Sequence, residues 1–213
     1  MYKVSICVAA VAVLAGSALA GFDGNGTISQ NAFSSGNGGE FTITPSAGFV
    51  GVTNLFADLS STSMQTFCLE TNEQFSPGNS YGMNINTVAI MGGSGGPSYP
   101  LQPETAYLYW HFRHGTLTGY DYGAGRQASA GALQRAIWYI QGNQSGGANN
   151  AFVALATSAV SGGSWTGIGD VRVLNVYRAS NNALGQDQLT IIPTPSAAVL
   201  MGLGGLAAMR RRR

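Results

Sequence analysis

The chain has 213 residues, of which 45% are hydrophobic and 9% charged, with Gly contributing 31. That is enough apolar residue for one core, so the chain is not a disordered one. It carries no Lys/Arg stripe able to track phosphates, which excludes a nucleic-acid partner.

The first segment, MYKVSICVAAVAVLAGSALA, sets Lys3 before an apolar run that closes on Ala18-Leu19-Ala20. This charged, apolar, A-x-A order predicts a secretory signal over 1–20 and an exported protein. Phe22 to Ser35 is rich in Gly, Asn and Ser, with a weak strand at Thr27–Gln30. GEFTITPS alternates at Phe41 and Ile43 and predicts a strand. Phe49–Leu59 reads as a strand entering a loop, Gln65–Asn72 as a strand carrying Cys68, and YGMNINTVAI as a further strand. MGGSGGPSYP reads as a loop.

The period then changes to that of helices. PETAYLYWHFRHG has Pro103 at a helix start, Glu104 in the first turn and Gly115 as a stop. A second helix is expected over Ser129–Gln141 with Ser129 as N-cap, and a third over Asn150–Val160. Strands return at Val171–Arg178 and Asp187–Thr194. The pattern predicts an α+β fold, a β-sandwich or barrel with a helical insertion near 101–160.

The last segment, PTPSAAVLMGLGGLAAMRRRR, joins a Pro-Thr-Pro triad to an apolar run over Ser196–Met209 and four Arg. A run of about 14 residues is short for a bilayer span, and the Arg cluster favours the cytoplasmic side. The expected division is therefore 1–20 signal, 21–192 domain and 193–213 sorting segment. Without Lys3 and the four terminal Arg, five Arg remain against nine Asp and Glu, a net charge of −4 with no lysine. Arg113 and Arg135 are expected on the surface beside the second helix.

Cys68 is then the one cysteine, unable to form an internal disulfide in an exported chain. On the second helix Leu133, Ile137 and Ile140 form one stripe, while Gln134, Trp138 and Gln141 form the next. An amide on a core-facing edge needs partners or a task. A thiol set against a carboxamide can displace ammonia and leave a side-chain thioester, a stored electrophile usable once. Phe67, Trp138 and Tyr139 are aromatic walls that would keep water out. Glu70 reads either as a polarising group or as an ordinary solvated strand residue. His111 and His114 have a spacing that two metal ligands share, but no further ligand pattern completes it. No metal or cofactor is expected. A Cys68–His111 hydrolase dyad lacks any local motif, so the chain is not expected to be an enzyme.

Phe67-Cys68-Leu69-Glu70 and Leu133-Gln134-Arg135-Ala136-Ile137-Trp138 resemble the paired motifs of bacterial thioester domains, over roughly residues 65–145. The resemblance implies a Cys68–Gln134 thioester used for covalent adhesion to an amine-bearing protein or polysaccharide; Glu70 and Trp138 are the candidate supporting residues, with Trp138 reading first as core. Leu133 stands where that pattern has Thr. The last 21 residues resemble a PEP-CTERM sorting signal, with Thr194 where the name-giving pattern has Glu. This implies an exosortase-type processing protease, a transient membrane association through the tail, and delivery to the cell surface or matrix of a Gram-negative-type bacterium. A non-covalent structural surface protein is the alternative reading.

Overall fold

The computed structural model describes residues 22–47, 49, 63–90 and 98–192. The expected signal, the sorting segment and most of the Phe49–Leu59 segment lie outside them.

A six-stranded antiparallel sheet forms the frame. Its strands are β1 (Gly24–Ser35), β2 (Gly38–Pro45), β3 (Met64–Thr66), β4 (Ser80–Asn86), β7 (Val171–Arg178) and β8 (Leu184–Ile191), in the order β3-β2-β1-β4-β7-β8. Two short strands, β5 (Val88–Ile90) and β6 (Ser98–Pro100), pair separately. Three helices, α1 (Pro103–Arg113), α2 (Arg126–Ile140) and α3 (Ala151–Ser161), are inserted between β6 and β7. The fold is α+β, and the helical insertion falls where the sequence placed it.

The sheet is one curled layer rather than two stacked ones. Its outer strands, β3 and β8, approach each other just beyond β3. There Leu69 N–H donates to Asp187 O at 3.0 Å and Leu189 N–H to Phe67 O at 3.1 Å, around an isolated bridge between Cys68 and Gln188. No continuous ladder follows, so the curl does not close into a barrel. Cys68 sits on this seam.

The strand expected over Gln65–Asn72 therefore stops at Thr66, because the chain leaves β2 to meet β8. Ser98–Pro100, expected as loop, pairs with Val88–Ile90. The last strand begins earlier than expected, at Leu184, because it pairs with Tyr177 across a turn. β1 runs well past the weak strand read at Thr27–Gln30, with a register shift between Gln30 and Ser34.

Each helix start has a local cause. α1 begins on a proline, whose missing N–H costs nothing there, with Glu104 in the first turn. Asn150 caps α3 by accepting from Phe152 N–H at 2.9 Å. α2 starts at Arg126, three residues before the expected cap. The Asp121 carboxylate accepts from Gly123 and Gly125 N–H, shaping the turn that enters the helix. Ser129 lies inside α2, and its hydroxyl accepts from Asp121 N–H.

Two apolar clusters flank the seam. The larger joins Phe67 and Leu69 to Leu108, Tyr109 and Phe112 of α1, to Leu133 and Ile137 of α2, and to Val173 and Leu189 of the sheet. The smaller lies against the other strands, with Ile28, Phe41, Ile43, Met64, Cys68, Tyr81 and Met83 buried and Trp138 packed on it. α2 lies across the β1–β2 hairpin, which carries its Gln134–Trp138 edge over the seam.

Candidate functional site

Three features hold α2 at this height over the sheet. At its start, Arg126 makes a bidentate ion pair with Glu40 of β2, both contacts at 2.8 Å, and Tyr120 hydroxyl donates to the same carboxylate. Glu40 is buried, so the charged pair is both strong and geometrically fixed. At its C-terminal end, Asn143 Nδ2 donates to Leu69 O at 3.0 Å and to Tyr99 hydroxyl at 2.9 Å. Between them, Gly38 lets the strand and helix touch. A Cβ built there would stand 2.5 Å from Gln134 Cγ and 2.7 Å from the Trp138 ring.

The result is direct contact between Cys68 and Gln134. Both side chains are buried, at 0% and 1% exposure. Cys68 Sγ lies 3.3 Å from Gln134 Oε1. Cys68 N–H donates to the same oxygen at 3.3 Å, and Gln134 Nε2 donates to Cys68 O at 2.7 Å. The carboxamide is gripped at both ends by the backbone of the residue whose sulfur faces it. Attack of that sulfur on Cδ would place developing negative charge on Oε1, where a backbone donor already points. The departing nitrogen is held by the carbonyl.

Burial and the nearby Glu70 push the Cys68 thiol well above its usual range, and the Trp138 indole opposes this. Trp138 Nε1 is buried and lacks an ordinary hydrogen-bond partner. The indole packs on the cluster that holds Cys68, and the thiol stays neutral.

Glu70 is not a solvated strand residue. It is fully buried beside Asp187. Its Oε2 accepts from Asp187 N–H at 2.8 Å and its Oε1 from Tyr99 hydroxyl at 3.4 Å, while Gln186 Nε2 donates to its carbonyl. Burial first, then the Asp187 charge, hold Glu70 protonated far above the usual carboxylate range. Through these bonds it braces the seam. Asp187 in turn accepts from Ile90 N–H, Val176 N–H and Asn175 Nδ2.

An open cavity of about 300 Å³ adjoins the site, with Trp138 in its wall. Phe41 and Phe75, in edge-to-face contact at 4.9 Å, form another part of that wall, and Asn37, Glu73 and Gln186 supply polar groups.

His111 and His114 lie elsewhere. His111 Nδ1 is 2.8 Å from Thr116 Oγ1, and its ring packs on Tyr107. His114 stacks on Trp110 with its Nδ1 2.7 Å from Trp110 O. Neither is a partner of Cys68, so the dyad does not form. Among the described residues no group of three or more His, Cys, Asp or Glu gathers as a metal site. Arg113, expected at the surface, is buried at 1% exposure and donates to Gln65 O at 2.7 Å. Arg135 is exposed.

Sequence reasoning missed Gly38, Asp187, Asn143 and Glu73. Only Gly38 left a trace, as a Gly-Gly pair opening a strand, a place where backbone approaches closely. Comparison with protein-family models, curated proteins and solved structures gave no match.

Proposed function

We propose that Cys68 and Gln134 form an internal thioester and that the protein uses it once, as an acyl donor, to attach covalently to an amine-bearing target. The observation that carries this reading is the double grip on the Gln134 amide with Cys68 Sγ 3.3 Å from its oxygen. Sulfur bonds to Cδ, the C–N bond breaks, and the thiol proton leaves with nitrogen as ammonia. Full burial protects the product from water. An amine then takes the acyl group and Cys68 regains its proton. This is stoichiometric chemistry on the protein itself and not enzymatic turnover. With the signal-like start and the sorting-like tail of the sequence, the setting is the outer surface or matrix of a bacterial cell. The sorting tail would be handled by an exosortase-type protease.

Intact-mass measurement tests the reading. Mature protein should be one ammonia lighter than its sequence and show no thiol under native conditions. Cys68→Ala should restore the full mass. Full mass with a titratable thiol in fresh protein would sink the proposal.

A second reading draws on the same contact. The Gln134 amide is satisfied by Cys68 backbone groups, and the thiol is strongly held in its neutral form. As a plain hydrogen-bonded lock, the pair would serve a non-covalent structural surface protein. The mass measurement separates the two.

Among the described residues no helix is long and apolar enough to cross a membrane.

A further inference from the structure

The thioester reading leaves open how a nucleophile reaches a bond that is fully buried, and which nucleophile it is. The route follows from the cavity beside Trp138. Cys68 and Gln134 have no surface of their own, and Trp138 belongs both to their cover and to the cavity wall. An acceptor entering here meets Phe41, Phe75 and Trp138 as apolar sides, and Glu73 is the one charged residue of the lining. Glu73 Oε2 is buried and lacks a hydrogen-bond partner. An unpaired buried carboxylate oxygen needs a donor, and a cationic donor satisfies it best.

We propose that this cavity is the entry port for a lysine-type side chain, whose ammonium Glu73 receives and deprotonates before the amine attacks the Gln134 acyl carbon. The proposal rests on the Cys68–Gln134 thioester reading. A slender unbranched chain suits a bond that lies behind an indole better than a bulky sugar ring does. The aromatic walls match its methylene stem. The ammonium gives one proton to the Glu73 carboxylate. The neutral nitrogen bonds to Cδ, the C–S bond breaks, and the second proton goes to Cys68 sulfur. The products are an isopeptide amide, a free thiol and a protonated Glu73 that returns its proton to solvent.

Burial, followed by the Asp187 charge, pushes Glu73 up to about 7. Glu70, which the Glu73 charge helps to raise, stays protonated and neutral. A base titrating near neutrality is matched to this task.

The test uses mature protein whose mass shows the bond. Thiol release is followed at neutral pH with an N-acetyl-lysine amide, with glucosamine, and with hydroxylamine, which is already neutral and needs no base. Glu73→Gln should slow the lysine arm by about tenfold or more and leave the hydroxylamine arm unchanged. It should also remove an inflection near pH 7 from the parent's profile. Asn37→Arg, at an exposed position on the cavity rim, should likewise slow only the lysine arm, by repulsion, and serves if Glu73→Gln misfolds. Equal lysine rates in bond-bearing parent and variants would overturn the port and leave the thioester standing. Faster reaction with glucosamine than with the lysine amide would overturn the lysine-type acceptor. A parent with full mass and free thiol would remove the thioester reading and this inference with it.

Discussion

At the scale of single residues, Gly38 decides how near β2 and α2 can come. Any side chain there would overlap Gln134 Cγ and the Trp138 ring, both rooted on a helix tied down at each end. Gly38→Ala should leave the fold intact but cost about 1–3 kcal/mol as an overpacked contact. It should also move the carboxamide from the sulfur, and a misplacement of about 1 Å costs a reaction roughly a hundredfold. The variant should be isolated with full mass and a titratable thiol while its circular dichroism stays native. Bond formation at the parent's rate would show that the close approach is dispensable. Glu70 offers a test by pH. Its folded-state pKa is raised, so the folded protein holds a proton that the unfolded chain releases above its ordinary value of 4.5. Stability is therefore greatest below that value. It falls as pH rises, by about 1.4 kcal/mol per unit for each such proton, until Glu70 itself ionises in the folded state. Glu70→Gln keeps an acceptor for Asp187 N–H and removes the titration. Denaturant midpoints of the variant should fall less steeply between pH 5 and neutrality, by about one proton's worth. An unchanged slope would assign the pH dependence to Asp187 and Glu73 instead.

At the scale of elements, α2 carries both the most legible and the least legible parts of the site. Its apolar stripe and the odd glutamine beside it follow from helical spacing, which is local information. Its start is not legible in the sequence because the polar group that shapes it, Asp121, acts through a glycine-rich turn, whereas Ser129 merely has the look of a cap. Glu70 reads as solvated because nothing near it in sequence shows that β8, 117 residues later, will bury it with Asp187 N–H. β6 hides in a Gly/Pro stretch because its pairing with β5 comes from across the loop. Leu133 is the instructive departure from the thioester-domain pattern. It is fully buried in the larger cluster with Phe67 and Ile137, while Cys68 belongs to the smaller one. A hydroxyl at this position would enter the apolar side of α2, and the amide already has the Cys68 backbone to orient it. Leu133→Thr should lower the unfolding free energy by about 1–3 kcal/mol and give no faster ammonia loss. Accelerated bond formation in time-resolved mass spectra would show that the hydroxyl has an orienting role here too.

At the scale of the whole molecule, the basic residues left after the expected processing are five Arg and no Lys. A stored thioester is consumed by any amine that reaches it, and a tethered amine acts at an effective concentration in roughly the millimolar range or above. Arginine is safe, since its guanidinium stays protonated below about pH 12 and offers no lone pair. The structure sharpens where a lysine would do harm. Arg135 is next to Gln134 in sequence, yet it is exposed while Gln134 is buried, so the two point to different sides of α2. Arg113 is buried in the core and is no surface probe. Asn37 is exposed and lines the cavity that has Trp138 in its wall, and Trp138 also packs on the cluster that holds Cys68. Asn37→Lys should therefore lose the thioester within hours of purification, with peptide mapping showing an amide between position 37 and Gln134. Arg135→Lys should keep the bond as long as the parent does. If Asn37→Lys is as durable as the parent, with no cross-linked peptide, the lack of lysine reflects composition alone. If instead Arg135→Lys is consumed while Asn37→Lys persists, amines reach the bond along the outer face of α2 and not through the cavity.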